Sequence, residues 1–407
     1  MKNRGRAVVL TAIWLMAAAL GMAQVQVVVP AAPKLSFGVS GFAGDASAAS
    51  QVTDVLKNDL KLSGYFEIGS AAESKYVAQG NVRLERGQGF IDCTVTMRVE
   101  NKVVLSKTYQ GSEQDLRRMV HQLSNDIILA IIGERGVANT KIAFVWARTR
   151  GVKELAVMDF DGRNARQLTY DKSISVRPRW SPDGRKIIYT SYKSGFPDVL
   201  EVDLFTGQRK RLAAYPGLNS GAAYSPDGHS VALTLSKDGN PELYVMNASG
   251  GDLQRLTHTR GAESSPTWSP DGQNIAYVSD DSGAPHIWLI SRNGGEAKRL
   301  TVSPAYNTEP DWSRPPAGSK LPPMLAVTSR AGGLFQIGVL NSATREVVPK
   351  IDGGDNRDPS WAPDGRHLVF TKTQGWRSQL FLFDYVTNEQ VQLPSVEGDA
   401  SEPAWGP

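Results

Sequence analysis

The sequence predicts an α/β N-terminal domain followed by an all-β six-bladed β-propeller closed by the C-terminal strand. Three observations carry that reading. Trp-Ser-Pro-Asp-Gly occurs at Trp180–Gly184 and Trp268–Gly272, with near copies at Tyr224–Gly228 and Trp361–Gly365. Two worn copies, Trp312-Ser313-Arg314 and Trp405-Gly406-Pro407, complete the series. The anchors at 180, 224, 268, 312, 361 and 405 are 44, 44, 44, 49 and 44 residues apart, the period of a four-stranded propeller blade. Finally, the β-run Ile142–Val145 has no anchor before it, and the last anchor, in Ser401–Trp405, has no β-run after it. Joining the two closes a ring of six and leaves only short, protected sheet edges, which suits a secreted monomer.

Each part of the repeat has a physical role. Proline stands two residues before the anchor in five of six copies, at 178, 266, 310, 359 and 403. The aromatic anchor offers a broad flat surface for packing between neighbouring sheets. Ser-Pro-Asp-Gly reads as a tight turn, with Pro fixing its φ and Gly free to take a positive one. A β-rich run follows at a fixed distance: Ile187–Thr190, Val231–Leu235, Ile275–Ser279, Leu325–Ser329 and Leu368–Thr371. Third strands such as Leu243–Met246 and Ile287–Ile290 come next, then a fourth ending Arg255-Leu256-Thr257 or Arg299-Leu300-Thr301. The fifth unit replaces its turn with the Pro-rich insertion Ser313–Pro323.

At the other end, residues 1–23 read as a secretory signal. Lys2, Arg4 and Arg6 precede an apolar core from Ala7 to Leu20 and a small-residue cleavage site at Gly21-Met22-Ala23. No other stretch is long and apolar enough to span a membrane. Residues 24–33 form an extended segment of Val, Gln, Ala and Pro. Segments of this kind fray, or add as a strand to a partner. Residues 34–136 form a small α/β domain and 137–407 the propeller. In the former, Val52, Val55, Leu56 and Leu60 place a helix over Ala46–Leu62, stopped by Gly64. Ile91, Cys93, Val95, Met97 and Val99 alternate as a half-buried strand, which Asn101-Lys102 turns into a hairpin with Val103–Tyr109. Ser112 and Asp115 have the spacing of a capping box before a helix that ends near Gly133.

Composition excludes several functions. Without the signal, 42 basic residues face 41 acidic ones, so no basic stripe argues for nucleic acid. The single Cys93 excludes an internal disulfide and a Cys-based zinc site. No Walker loop or dinucleotide fingerprint occurs. The nearest approach to a nucleophile elbow, Gly38–Phe42, lacks the final Gly. The histidines at 121, 229, 258, 286 and 367 have no metal-helix spacing. His229 and His367 follow turn glycines, which predicts exposed positions. The turn carboxylates Asp183, Asp227, Asp271 and Asp364 recur in every complete turn, as expected of side chains that bond their own backbone.

Function on such a scaffold belongs in the loops that enter the channel. With the anchor strand innermost, the residues just before it crowd the channel mouth: Val176 and Arg177, Ser220 and Gly221, Ser264 and Ser265, Thr308 and Glu309, Arg357 and Asp358, Ser401 and Glu402. This mixture of charge and hydroxyl suits a polar protein surface better than an apolar ligand. None of the five histidines occupies these positions, which weighs against a sugar lyase or peptidase-related enzyme using the channel.

A signal, a small α/β domain and six Trp-Ser-Pro-Asp-Gly blades closed by a terminal Pro-Ala-Trp together resemble the TolB family of the Tol–Pal system. Gly38–Phe42 before the first helix, Asn58–Phe66 and Ser401–Trp405 carry the same resemblance. It implies a non-enzymatic periplasmic adaptor without a bound cofactor, supporting outer-membrane integrity during division. The expected partners are a Pal-type peptidoglycan-associated lipoprotein at the channel mouth and a TolA-type membrane-anchored protein at the mature N-terminus. By alignment on the anchors, the resemblance places Pal-sensitive positions at Leu218, Gly221 and Ser264. It places the TolA contact at Gln24, Val25, Gln26, Val27, Val28 and Val29, which lack the acidic character of the better-known relatives. The family also implies calcium in the channel, with no ligands assigned.

Overall fold

The computed structural model describes residues 33–407. The proposed signal at 1–23 and the segment 24–29 lie outside the described residues.

The N-terminal domain is a five-stranded mixed sheet with two helices on one face. Strand β1 (Leu35–Gly44) runs parallel to β2 (Phe66–Gly69) on one side and to β3 (Tyr76–Glu85) on the other, and β4 (Gln88–Met97) and β5 (Lys102–Ser112) continue antiparallel. Helix α1 (Ala46–Leu62) starts where Asp45 accepts the Ala48 N–H at 2.9 Å, and α2 (Leu116–Ile132) stops at Gly133, whose φ of 82° only glycine takes without cost. Val52, Leu56 and Leu60 of α1 and Val120, Leu123 and Ile127 of α2 meet Phe37, Val82, Ile91 and Val95 in one core. Cys93 is buried among them, and burial pushes its thiol up to about 12, so it is a packing group at neutral pH.

Two local expectations are corrected here. The alternating strand stops at Met97, because Arg98 accepts the Asn101 N–H and begins the turn two residues early; Val99 sits on that turn and is 87% exposed. Ser112 and Asp115 do not form a capping box. Their side chains bond each other at 2.7 Å, and a short 3-10 turn, Glu113–Asp115, leads into α2 instead.

The rest of the described chain forms six four-stranded sheets. Counting from the ring closure, the innermost strands are Asp399–Trp405 (blade 1), Ser175–Trp180 (blade 2), Asn219–Tyr224 (blade 3), Glu263–Trp268 (blade 4), Asn307–Trp312 (blade 5) and Asp355–Trp361 (blade 6). Blade 1 is assembled from both ends of the propeller: Asp399–Trp405 pairs antiparallel with Lys141–Thr149, setting Trp405 opposite Ile142. The anchor indoles tie neighbours together. Trp180 Nε1 donates to the Ala404 carbonyl at 2.9 Å, and Trp268 Nε1 to the Ala223 carbonyl at 3.0 Å. Each Ser-Pro-Asp-Gly turn is closed by its own carboxylate. Asp183, Asp227 and Asp271 each accept from the serine two residues before and from the backbone N–H two residues after.

Asp364 does this differently and corrects a third expectation. Its turn begins with Ala362, and the side chain accepts from the Arg366 and His367 N–H groups and from His367 Nδ1 at 2.6 Å. His367 is therefore buried, at 3% exposure. The neighbouring Arg366 and Asp384 form a two-point pair, Nε–Oδ1 at 2.9 Å and Nη2–Oδ2 at 2.6 Å. Arg366 also donates to the Gly64 carbonyl at 3.2 Å and stacks 3.9 Å from the centre of the Tyr65 ring. Arg117 of α2 reaches Asp159 and Asp161 of blade 1. The small domain thus rests on blades 1 and 6, at the end of the ring that carries the Ser-Pro-Asp-Gly turns.

A buried carboxyl pair links blades 3 and 4. Glu263 accepts from Ser279 Oγ at 2.7 Å and Thr259 Oγ1 at 2.8 Å, and Glu242 accepts from Arg255 at 2.7 Å. Burial, then the hydrogen-bonded Glu242, push Glu263 up to about 7. The folded pair therefore holds a proton that an unfolded glutamate, titrating near 4.3, has already lost. Stability falls as pH rises from about 4.5 to about 7 and then levels. Glu263→Gln, which carries the hydrogen permanently, should raise the melting temperature at pH 8 by about 2–4 °C and leave it unchanged at pH 5. Thermal melts of both proteins across that range test this, and equal shifts at both pH values would refute it.

Candidate functional site

Each innermost strand contains one residue too many for its neighbour. The register of all six slips between the fourth residue before the anchor and the residue next to it. The third residue before the anchor takes up the slip in the left-handed region: Arg177 (φ 55°), Gly221 (62°), Ser265 (52°), Glu309 (52°), Asp358 (54°) and Glu402 (48°). Left-handed backbone costs about 1–3 kcal/mol for a non-glycine residue, and only one of the six is glycine. The following proline, present in five blades, favours extended backbone before it, so the ring imposes this conformation against local preference. The bulges bring these six residues together around the channel mouth.

They line a cavity of about 330 Å³ together with Arg357 and Ser401. Leu218, Ser220, Ser264 and Thr308 lie in or beside the same strands but outside the lining; Leu218 is half-buried and donates its N–H to Ser236 Oγ at 2.8 Å. Adjoining strands add Lys153, Thr371, Thr373 and Ser378, which reading the anchor strands alone does not reveal. The signal for one of them is in the repeat. The second strands of blades 2, 5 and 6 carry Thr190, Thr328 and Thr371, and each hydroxyl accepts the N–H of the bulged residue of the next blade, Gly221, Asp358 and Glu402.

The mouth is electrostatically divided. Arg177 donates from its backbone to Glu402 at 2.8 Å and from its guanidinium to Ser265 at 2.8 Å, spanning blades 1, 2 and 4. Lys153 pairs with Glu402 at 3.6 Å. On the other side, Glu309 accepts the Asp358 N–H at 3.0 Å, and Asp358 accepts from Thr371 Oγ1 at 3.0 Å. Burial, then repulsion from Glu309 and Glu402, hold the Asp358 carboxyl well above the usual range. Arg357 pairs with Asp355 and lies 3.6 Å from the centre of the Phe335 ring. Glu309, Asp358 and Glu402 are each committed to these bonds. Among the described residues, no three His, Cys, Asp or Glu side chains are grouped to hold a metal ion.

The family model described as "TolB beta propeller domain" matches residues 129–407. The chain belongs to the TolB β-propeller family. This TolB-family chain is similar to the Tol-Pal system protein TolB of Legionella pneumophila (strain Corby), at 30% identity over 206 residues, 46% of this chain and 48% of the relative. It is likewise 33% identical over 208 residues to that of Bordetella avium (strain 197N), 46% of this chain and 47% of the relative. The chain spans about half the length of the curated relatives it matches. In three dimensions, the crystal structure of TolB from Acinetobacter baumannii superposes with a TM-score of 0.83 at 25% identity, covering 93% of this chain and 98% of that one. No helix among the described residues is long and apolar enough to cross a membrane.

Proposed function

We propose that this TolB-family chain is a non-enzymatic periplasmic adaptor of the Tol–Pal system, acting as a monomer. Its channel mouth binds a Pal-type peptidoglycan-associated lipoprotein, and residues 24–29 bind a TolA-type membrane-anchored protein. In this role it supports outer-membrane integrity and cell division. The observation that carries the reading is the mouth itself: five of the six bulges present charged or hydroxyl groups on fixed backbone, while the small domain packs at the opposite end of the ring and leaves this face open. Complementary charge on such a face steers encounter and fixes orientation. The turn carboxylates, closed on their own backbone, are left with no chemistry to perform.

Calorimetry with the Pal-type lipoprotein of the same organism tests the docking half. The expected result is saturable binding, weakened at least about tenfold by the Arg177→Ala, Glu309→Ala pair, which removes the guanidinium tie between blades 2 and 4 and the carboxylate tie between 5 and 6. Deleting residues 24–29 should abolish binding of the TolA-type protein and spare that of the lipoprotein. Absence of lipoprotein binding, or binding indifferent to the double substitution, would sink the reading.

A further inference from the structure

The channel has a second chamber, at the Ser-Pro-Asp-Gly end, which the docking reading leaves unused. It is a cavity of about 310 Å³ walled by Trp180, Tyr224, Trp312, Trp361 and Trp405. Arg179 borders both chambers and divides them. Arg314 enters from the Pro-rich insertion of blade 5. Among the described residues neither guanidinium makes a hydrogen bond or an ion pair, although Arg314 is solvent-exposed and Arg179 half-buried. Asp311, three blades round from Arg179, is the only acidic side chain of the lining. One of its oxygens is taken by the Trp361 N–H at 2.8 Å. The chamber therefore holds two unpaired cations against one carboxylate.

The backbone adds further donors. Ladder alternation turns each anchor N–H away from the second strand and towards the preceding blade. In three blades a side-chain oxygen on that blade accepts it: Thr267 for Trp312 at 3.4 Å, Asp311 for Trp361 at 2.8 Å and Ser360 for Trp405 at 3.0 Å. The corresponding residues before Trp180, Tyr224 and Trp268 are Ala404, Arg179 and Ala223, whose side chains contain no acceptor. Of these three anchors Trp180 and Tyr224 wall the chamber with Arg179, so blades 2 and 3 present anchor N–H groups there without that partner.

We propose that this chamber binds a small oxyanion, a phosphate or carboxylate group, held between the Arg179 and Arg314 guanidiniums and the anchor N–H groups of blades 2 and 3. Guanidinium forks match such groups geometrically, and both gain strength in a walled site. The indole and proline walls leave room for an apolar substituent on the anion. Enclosure also disfavours the unpaired cations. Although part of Arg314 is exposed to solvent, desolvation by the protein around its guanidinium pulls it below its ordinary value, Asp311 resists, and repulsion from Arg179 adds to the fall. A bound anion relieves all of this. A merely structural plug would instead bring Asp311 within ion-pair distance of one arginine, and no such pair forms.

The test is titration of inorganic phosphate and, separately, acetate into the full chain at low ionic strength, followed by calorimetry and by the rise in melting temperature. Saturable binding of one probe at up to about 10 mM is expected. Response to phosphate alone assigns a phosphate ligand, and response to acetate a carboxylate one. Arg314→Met and Arg179→Met should each weaken binding at least about tenfold, while Arg177→Ala, at the opposite mouth, leaves it unchanged. Arg314 is exposed on a loop, so its variant should fold as the parent does and decides the matter if Arg179→Met does not. No saturable binding of either probe, or binding equal in Arg314→Met and the parent, would overturn the proposal.

Discussion

Trp405→Ala is expected to lower the melting temperature of the propeller by about 5–15 °C, and removal of residues 399–407 to abolish its cooperative unfolding. Trp405 is 7% exposed, packs with Ile142 and Phe144, and donates Nε1 to Thr140 at 2.7 Å. The strand that carries it supplies the Ala404 carbonyl to Trp180, and Gly406 lies so close under the Trp180 ring that an added Cβ would come within 2.5 Å of it. Losing a large buried aromatic costs about 3–5 kcal/mol. Here the loss falls on the one sheet built from both ends of the propeller, so it opens the ring as well as hollowing the core. Calorimetry of the variant gives the answer: a melting temperature within about 2 °C of the parent would show that blade 1 does not depend on this closure.

The second large effect is expected at the junction between the domains. Arg366→Ala removes the partner of Asp384, the cap on the Gly64 carbonyl and the cation over Tyr65. Arg366 and Asp384 are 6% and 5% exposed, and breaking a buried pair on one side costs about 3–5 kcal/mol, because the remaining charge is left without compensation. The loss is shared by two domains, so a single calorimetric transition should split, the small domain unfolding first. Gly64→Ala reaches the same place independently: its φ is 70°, and an added Cβ would stand 1.9 Å from Asp384 Oδ2. A single, unsplit transition in both variants would show that the domains do not communicate through this contact.

The repeat made most of the propeller legible, because Trp-Ser-Pro-Asp-Gly combines a packing anchor, a fixed turn and a strand at one spacing, and closure by the last strand follows from counting. Helix α1 was equally plain, since its apolar residues share one face. What escaped was decided by contacts between distant parts of the chain. His367 follows a turn glycine, like His229, yet its ring is bonded to Asp364, lies against Asp384 and is buried. Val99 continues the alternation of its strand, but the turn needed by Asn101 ends the ladder first. The mouth was located by its innermost strands, and Arg177, Glu309 and Glu402 do meet there. Lys153, Thr371 and Ser378 come from neighbouring strands, and nothing in a single repeat shows that they face the same cavity.

The six left-handed bulges have a consequence for how such a surface changes. At each, the backbone is fixed by the ring, through the slipped register and the preceding blade, and of the six side chains only those of Glu309 and Glu402 brace rim backbone, each accepting the N–H of the next bulge. Arginine, glycine, serine, aspartate and glutamate already occupy equivalent positions with φ between 48° and 62°. Apart from those two carboxylates, the rim therefore behaves as a set of interchangeable sockets on a rigid hub. Its chemistry can be exchanged one position at a time while the geometry presented to a partner stays constant. Recognition can drift with a changing partner in single steps, and no step need pass through a misfolded ring.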